Sequence, residues 1–165
     1  MFETTVQSGL PKAASYEELA RSLVALLEGE TDALANLANA TSLLAHSLDR
    51  INWCGFYVLR GEDLVLGPFQ GKPACVRIPV GKGVCGEAAA RRQTIVVPDV
   101  NRFPGHIACD PASRSEIVVP VVQNDVLRSV LDVDSPEPGR FDEEDRAGLE
   151  KFVATLTPRI KWEQL

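Results

Sequence analysis

The sequence has few of the residues that usually mark a metal site. Its 165 residues include two histidines and four cysteines, and no two cysteines form a C-x-x-C pair. Structural zinc sites favour closely spaced ligand pairs, so we expect no metal. No apolar run approaches the ~20 residues of a membrane span. The opening stretch, MFETTVQSGLPKAASYEE, has neither the basic nor the apolar region of a signal peptide. We therefore expect a cytoplasmic protein whose cysteines are reduced at rest.

An excess of positive charge is also absent. The 17 lysines and arginines are outnumbered by 23 aspartates and glutamates, which gives a net charge of −6. This balance argues against nucleic acid or an anionic membrane as the main partner. A hydrophobic content of 45% is ordinary for a globular protein. We expect an N-terminal arm over residues 1–14 and a single domain over residues 15–165.

Hydrophobic periodicity predicts helices near both ends of the chain and strands between them. Ser15 and Glu18 predict a capping box for a first helix, and a second helix should run from Thr31 or Asp32 to about Leu48. The apolar stripe of that second helix is predicted to include Leu34, Leu37, Leu44 and Leu48. Strands are predicted in the stretches 51–59, 63–71, 74–80, 94–99, 115–122 and 126–135, with a short helix within 81–92 and a last helix that begins near Asp142. The order predicts an α+β fold: a mainly antiparallel central sheet, helices packed on one face, and loops plus a short helix over the other.

Three carboxyl groups should share one face of the last hairpin. Side chains alternate along a strand, so a turn at Asn124-Asp125 brings Glu116, Asp132 and Asp134 to the same side. Such a face is either solvated surface or an anionic pocket for a cation such as a ligand ammonium. Like charges so close repel one another, so a carboxyl there can stay protonated and donate a proton.

Two aromatic residues share a face of the first strand. Trp53 and Tyr57 stand on either side of Gly55. They are either core residues or an apolar wall for a small ligand, in which case Gly55 would leave space for it.

The cysteines lie in different settings. Cys54 opposes the aromatic face and is typical of a small core hydrophobe. Cys75 starts a strand, Cys85 begins the short helix, where the dipole favours a thiolate, and Cys109 lies in a long loop near His106. The last three indicate either thiol–disulfide chemistry or inert thiols, and spacing alone leaves both readings open. His106 is either a base for Cys109 or simply solvated.

Longer motifs resemble a known family. The stretches GPFQGKPACVRIPVGKGVCGEAAA, VPDVNRFPGHIACDPASRSEIVVPV and VLDVDSP, together with INWCGFY, closely resemble the free methionine-(R)-sulfoxide reductases, which are single GAF domains. The resemblance covers about residues 15–160. Two positions depart from the expected pattern: Cys54 stands where a plain apolar residue is expected, and Ser129 replaces a glycine.

The resemblance implies roles for individual residues. Cys109 matches the catalytic nucleophile, Cys75 the principal resolving cysteine and Cys85 a secondary or recycling one. Residues matching the substrate site are Glu116, Asp132, Asp134, Trp53 and Tyr57.

The implied reaction needs no bound cofactor. The Cys109 thiolate attacks the sulfoxide sulfur, a carboxyl protonates the departing oxygen, and methionine leaves a sulfenic acid behind. Cys75 or Cys85 then forms a disulfide that thioredoxin reduces. The implied partners are free methionine sulfoxide, thioredoxin and a second copy of the chain in a homodimer, and the setting is oxidative stress.

A different function class remains open at this point. The alternative is a non-catalytic GAF module that binds a small ligand or senses redox state. A sensor is usually joined to an output domain, for which this chain has no room, and it would not need Glu116, Asp132 and Asp134 beside Cys109. The preference for the R epimer comes from the resemblance alone.

Overall fold

The computed structural model describes residues 10–107 and 109–165, and its helices and strands follow the predicted order. The elements are α1 (Lys12–Leu26), α2 (Ala33–Ser47), β1 (Trp53–Arg60), β2 (Asp63–Gln70), β3 (Arg77–Pro79), α3 (Gly83–Arg91), β4 (Ile95–Val97), β5 (Ser115–Gln123), β6 (Val126–Ser135) and α4 (Glu143–Leu156). Within those ranges, no helix combines the length and apolarity needed to cross a membrane.

The strands form one sheet in the order β3-β2-β1-β6-β5-β4, and every neighbouring pair is antiparallel. The β5–β6 hairpin turns at Asn124 and Asp125, whose φ angles are +52° and +61°. Asparagine and aspartate tolerate this left-handed region better than most residues, which explains the turn at this point. The prediction of a mainly antiparallel sheet is confirmed.

The two faces of the sheet are covered differently. Helices α1, α2 and α4 pack on one face, where Leu37 and Phe152 meet Phe56 and Ile117 in a fully buried core. The short helix α3 packs on the other face against the side of the sheet that carries Val118. The predicted layering is therefore confirmed, and the second face holds the loops that lead to Cys75 and Cys109.

Some predicted helix details are wrong. Helix α1 begins at Lys12 without a side-chain cap, and Ser15 lies inside it, so the predicted capping box does not form. Leu34 is 58% exposed because it lies in the first turn of α2 on the side away from the sheet. In contrast, Asp32 caps α2 by accepting a hydrogen bond from the Ala35 N–H at 2.8 Å. Most of the predicted arm, residues 1–9, falls outside the described residues, and its residues 12–14 belong to α1.

Candidate active site

The pairing of β5 with β6 brings the three carboxyl groups together. Glu116 lies directly opposite Asp134, and Asp132 lies opposite Val118, so all three side chains point to the face covered by α3. Glu116 is 5% exposed and Asp132 is 7% exposed, while Asp134 is half-buried. The shared face is confirmed, and the alternative of a solvated surface is wrong.

Burial changes the acidity of this carboxyl cluster. Loss of hydration raises the pKa of Glu116 and of Asp134 well above the usual range, and repulsion from Asp132 adds to both shifts. Burial also raises the pKa of Asp132 to about 7, although the neighbouring Cys85 and Glu116 side chains oppose that shift. Buried carboxyls of this kind hold protons at neutral pH and can serve as acids.

A disulfide joins two of the three motif cysteines. Cys75 and Cys109 are bonded to each other, with their Cα atoms 5.6 Å apart. Cys75 lies just ahead of β3, where its carbonyl accepts a hydrogen bond from the Tyr57 hydroxyl at 3.0 Å. Both sulfur-bearing residues are half-buried. The pair is thus placed beside the carboxyl cluster and near the surface, where a reductant has access.

Cys85 is buried and takes no part in the disulfide. It is the third residue of α3, and its Sγ lies 4.0 Å from Glu116 Oε1. Burial raises the pKa of this thiol well above its usual range, and the carboxyls of Asp132 and Glu116 raise it further. The expectation that the helix dipole favours a thiolate is wrong for Cys85, because burial and nearby acids outweigh the dipole.

Cys54 lies on the opposite face of the sheet, in the core under the helices. Its Sγ is 3.7 Å from the Thr41 carbonyl oxygen, and burial raises the pKa of the thiol to about 12. Cys54 is therefore a packed core residue, as predicted. The other departure from the family pattern, Ser129, is fully buried and donates a hydrogen bond to the Tyr57 carbonyl at 2.7 Å.

The aromatic residues of β1 form a stack beside the site. The Trp53 ring lies 5.9 Å from that of Tyr57 and 5.5 Å from that of Phe69. A Cβ at Gly55 would lie 2.5 Å from Phe69 Cβ and 2.8 Å from Trp53 Cη2. Gly55 therefore makes room for the protein's own aromatic rings, and the expectation that it leaves space for a ligand is wrong.

Two small cavities meet at Cys109. One, of about 30 Å³, is lined by Cys85, Glu116 and the loop that carries His106. The other, of about 10 Å³, is lined by Trp53, Tyr57 and the chain before Cys75. Both cavities share Cys109, Asp110, Asp132 and Asp134. The larger has room for about two water molecules and the smaller for about one at most, and the disulfide-bonded Cys109 lines both.

The sequence analysis missed the residues that anchor Cys109. Asp110 accepts hydrogen bonds from the Ala112 N–H at 2.9 Å and from Asn52 Nδ2 at 3.2 Å, and Lys72 Nζ lies 3.4 Å from it. The Ala112 N–H, and then the other partners, hold the pKa of Asp110 below its usual range. The Asp-Pro-Ala sequence is typical of a turn closed by its own aspartate, and this pattern was the signal that could have found it.

His106 lies beside the acids. Its Nε2 is 3.7 Å from Glu116 Oε2, and burial lowers the pKa of the imidazole below its usual value. Its place in the site is therefore next to Glu116, in the wall of the larger cavity.

Comparison with known proteins identifies the family. Residues 17–158 match the GAF domain family. The chain is 56% identical over 145 residues to the free methionine-R-sulfoxide reductase of Escherichia coli, with 88% of each chain covered. This chain belongs to the free methionine-R-sulfoxide reductases of the GAF family. The Saccharomyces cerevisiae reductase is 47% identical over 157 residues, which cover 90% of this chain and 87% of the yeast protein.

Solved structures agree with this assignment. The free methionine-R-sulfoxide reductase from Neisseria meningitidis, in complex with its substrate, matches with a TM-score of 0.93 at 41% identity. The match covers 99% of this chain and 98% of that one. The predicted reductase family and the predicted GAF-like fold are both confirmed.

Proposed function

We propose that this protein reduces free L-methionine-(R)-sulfoxide to L-methionine through a sulfenic acid and a disulfide. The observation that carries the proposal is the Cys75–Cys109 disulfide, which lies beside the cluster of Glu116, Asp132 and Asp134. A nucleophile, a resolving thiol and proton donors are thereby supplied in one place.

The first step transfers the sulfoxide oxygen to Cys109. The thiolate attacks the sulfur, the S–O bond of the substrate breaks, and one proton is taken up, which gives methionine and a cysteine sulfenic acid. Cys109 enters this step as the reduced thiolate after its disulfide has been opened. We propose that opening of the disulfide lets Cys109 move, so that the two cavities it lines join into a site for the amino acid.

The carboxyl cluster supplies the proton and recognises the substrate. Glu116 and Asp134, whose pKa values are raised, are protonated at neutral pH and donate to the sulfoxide oxygen as it leaves. Asp132, whose pKa is about 7, ionises most readily of the three and pairs with the substrate ammonium. A methionine sulfoxide inside a polypeptide has no such ammonium, which explains selection of the free amino acid.

The substrate carboxylate has a matching position at the start of α3. Gly83, Val84 and Cys85 line the larger cavity, and no side chain caps this helix. The unsatisfied N–H groups of a first helical turn attract anions. Gly83 is required there because its φ is +62° and a Cβ would lie 3.2 Å from Ile107 side-chain atoms. Acids and helix terminus together would hold both charged ends of the amino acid.

Recycling completes the reaction. The Cys75 thiol condenses with the sulfenic acid and releases water, and thioredoxin then reduces the disulfide by thiol exchange. Val76 is 64% exposed and Ile107 is 37% exposed beside the disulfide, which gives a protein reductant an apolar surface to contact. Because each cycle needs this reductant, we place the enzyme in the cytoplasm.

We also retain the homodimer as a prediction.

The proposal is tested by methionine release. Reduced enzyme is supplied with thioredoxin, its reductase and NADPH, and with either epimer of free methionine sulfoxide or an R-sulfoxide peptide. We expect turnover of the free R epimer alone and none in Cys109→Ser. The matched control is Cys54→Ser, which alters a thiol on the opposite face and should keep activity. Equal turnover of peptide and free substrate, or full activity in Cys109→Ser, would contradict the proposal.

A further inference from the structure

A cluster of potential metal ligands lies in the larger cavity. The donor atoms of Cys85, Glu116 and Asp132 all lie within 4.8 Å of one another, and all three residues are buried. None of these groups belongs to the Cys75–Cys109 disulfide, so the cluster is complete in the oxidised protein.

An unsatisfied oxygen points to a missing partner at this cluster. Asp132 Oδ1 has no hydrogen-bond partner among the residues that the structure describes, although Asp132 is only 7% exposed. A buried carboxyl oxygen without a partner is costly. A bound cation would satisfy the oxygen.

A fourth ligand is close by. His106 Nε2 lies 3.7 Å from Glu116 Oε2, on the wall of the same cavity. The resulting set is one sulfur, one nitrogen and two carboxylate oxygens, which suits zinc and excludes magnesium and calcium, since both prefer oxygen alone.

We propose that Cys85, Glu116, Asp132 and His106 bind Zn²⁺, and that the ion inhibits the reductase by occupying the substrate site. Bonds of ~2.0–2.3 Å in a tetrahedral site put ligand atoms roughly 3.3–3.8 Å apart. The sulfur of Cys85 is already 4.0 Å from Glu116 Oε1, so this pair needs to close by less than about 1 Å. His106 lies outside the group of donor atoms within 4.8 Å of one another, so its imidazole must move farther to complete the set. On binding, the protons of Cys85 and Glu116 are released to the buffer, and the resulting thiolate and carboxylate become ligands.

Inhibition follows from the shared residues. A zinc ion at this position takes both Glu116 and Asp132 out of proton transfer and substrate binding. The inhibition half of the proposal rests on the reductase function proposed above, while binding of the metal does not. The ion is an inhibitor and plays no part in turnover, so the reaction itself needs no metal.

Metal binding is tested on the oxidised protein, which has no reductase activity to confuse the result. Cys75 and Cys109 are closed as a disulfide, so Cys85 and the core residue Cys54 are the remaining thiols. We expect Cd²⁺ to bind with one-to-one stoichiometry and to give a thiolate-to-metal absorption band in the ultraviolet. Cys85→Ser should abolish the band, Cys54→Ser should keep it, and Asp132→Asn should weaken binding at least tenfold. Circular dichroism checks that each variant is folded.

The inhibition is tested on reduced enzyme after removal of free metal by a chelator. Zn²⁺ should raise the apparent KM for methionine-R-sulfoxide, and excess substrate should relieve the inhibition. A wild-type protein without a Cd²⁺ band, or a band that survives in Cys85→Ser, would overturn the site. Zn²⁺ inhibition that excess substrate does not relieve would overturn the shared position. Failure of the reductase proposal would be seen separately, as absent turnover in metal-free buffer.

Discussion

The stability of this protein should fall as pH rises from about 4 to 7, and Asp132 should account for a large part of the fall. Burial raises the pKa of Asp132 from 3.8 to about 7. Between these values the folded protein holds a proton that the unfolded chain has released. The stabilising contribution of Asp132 is therefore fully present below about pH 4 and is lost as the pH rises through 7. Three pH units at ~1.4 kcal/mol each amount to about 4 kcal/mol.

The substitution Asp132→Asn tests this contribution of the Asp132 titration to the free energy of unfolding. The variant lacks the titration, so at pH 8 it should be more stable than the wild type. Its buried amide still needs partners, which reduces the gain to about 2–4 kcal/mol. At pH 4 the gain should disappear. The fold lowers the pKa values of Asp110 and Asp142, so their stabilising contributions are lost only at lower pH, when these carboxylates become protonated. This loss is the same in the wild type and the variant.

The assay is urea unfolding of oxidised protein at pH 4, 6 and 8, followed by tryptophan fluorescence. Glu62→Gln is the control, because Glu62 is exposed in the turn between β1 and β2. The same Asp132→Asn variant should raise the KM for methionine-R-sulfoxide, because it lacks the carboxylate that pairs with the substrate ammonium. A wild-type stability that does not change between pH 4 and 7, with Asp132→Asn no more stable at pH 8, would refute the reasoning.

Three other predictions follow from the site. Cys75→Ser should release one methionine per enzyme and then stop cycling with thioredoxin, while Cys85→Ser should continue to cycle; the reverse result would make Cys85 the resolving cysteine. Gly55→Ala should destabilise the fold by about 1–3 kcal/mol in urea unfolding and raise KM, because its Cβ would meet Phe69 at 2.5 Å. Unchanged stability would show that the rings of Trp53 and Phe69 shift at little energetic cost to accommodate the added Cβ. Asp110→Ala should release the loop after the nucleophile and slow methionine release without loss of the fold by circular dichroism; unchanged kinetics would show that the loop is held by other contacts.

Local patterns allowed much of this site to be predicted. Strand alternation and the Asn124-Asp125 turn are properties of neighbouring residues, so they are enough to place Glu116, Asp132 and Asp134 on one face of the hairpin. The same holds for the Asp32 cap, which depends on four consecutive residues of the chain.

Features that depend on distant residues could not be predicted in this way. The space beside Gly55 is filled by Phe69 of the neighbouring strand β2. The pairing of β1 with β2 is irregular between Gly55 and Tyr57, so this contact does not follow from strand alternation. The failed thiolate prediction for Cys85 has the same origin, because its burial comes from packing of α3 on the sheet. Spacing alone also left Cys75 and Cys85 as alternative partners of the nucleophile, and only their positions in space separate them.

The most direct test is a single turnover of fully reduced enzyme with one equivalent of free methionine-R-sulfoxide. Methionine is quantified, and the alkylated, digested protein is examined by mass spectrometry. The account predicts one methionine released for each Cys75–Cys109 disulfide formed, with Cys54 and Cys85 still alkylated. Methionine released with all four thiols intact, or a disulfide that joins Cys109 to Cys85, would contradict it.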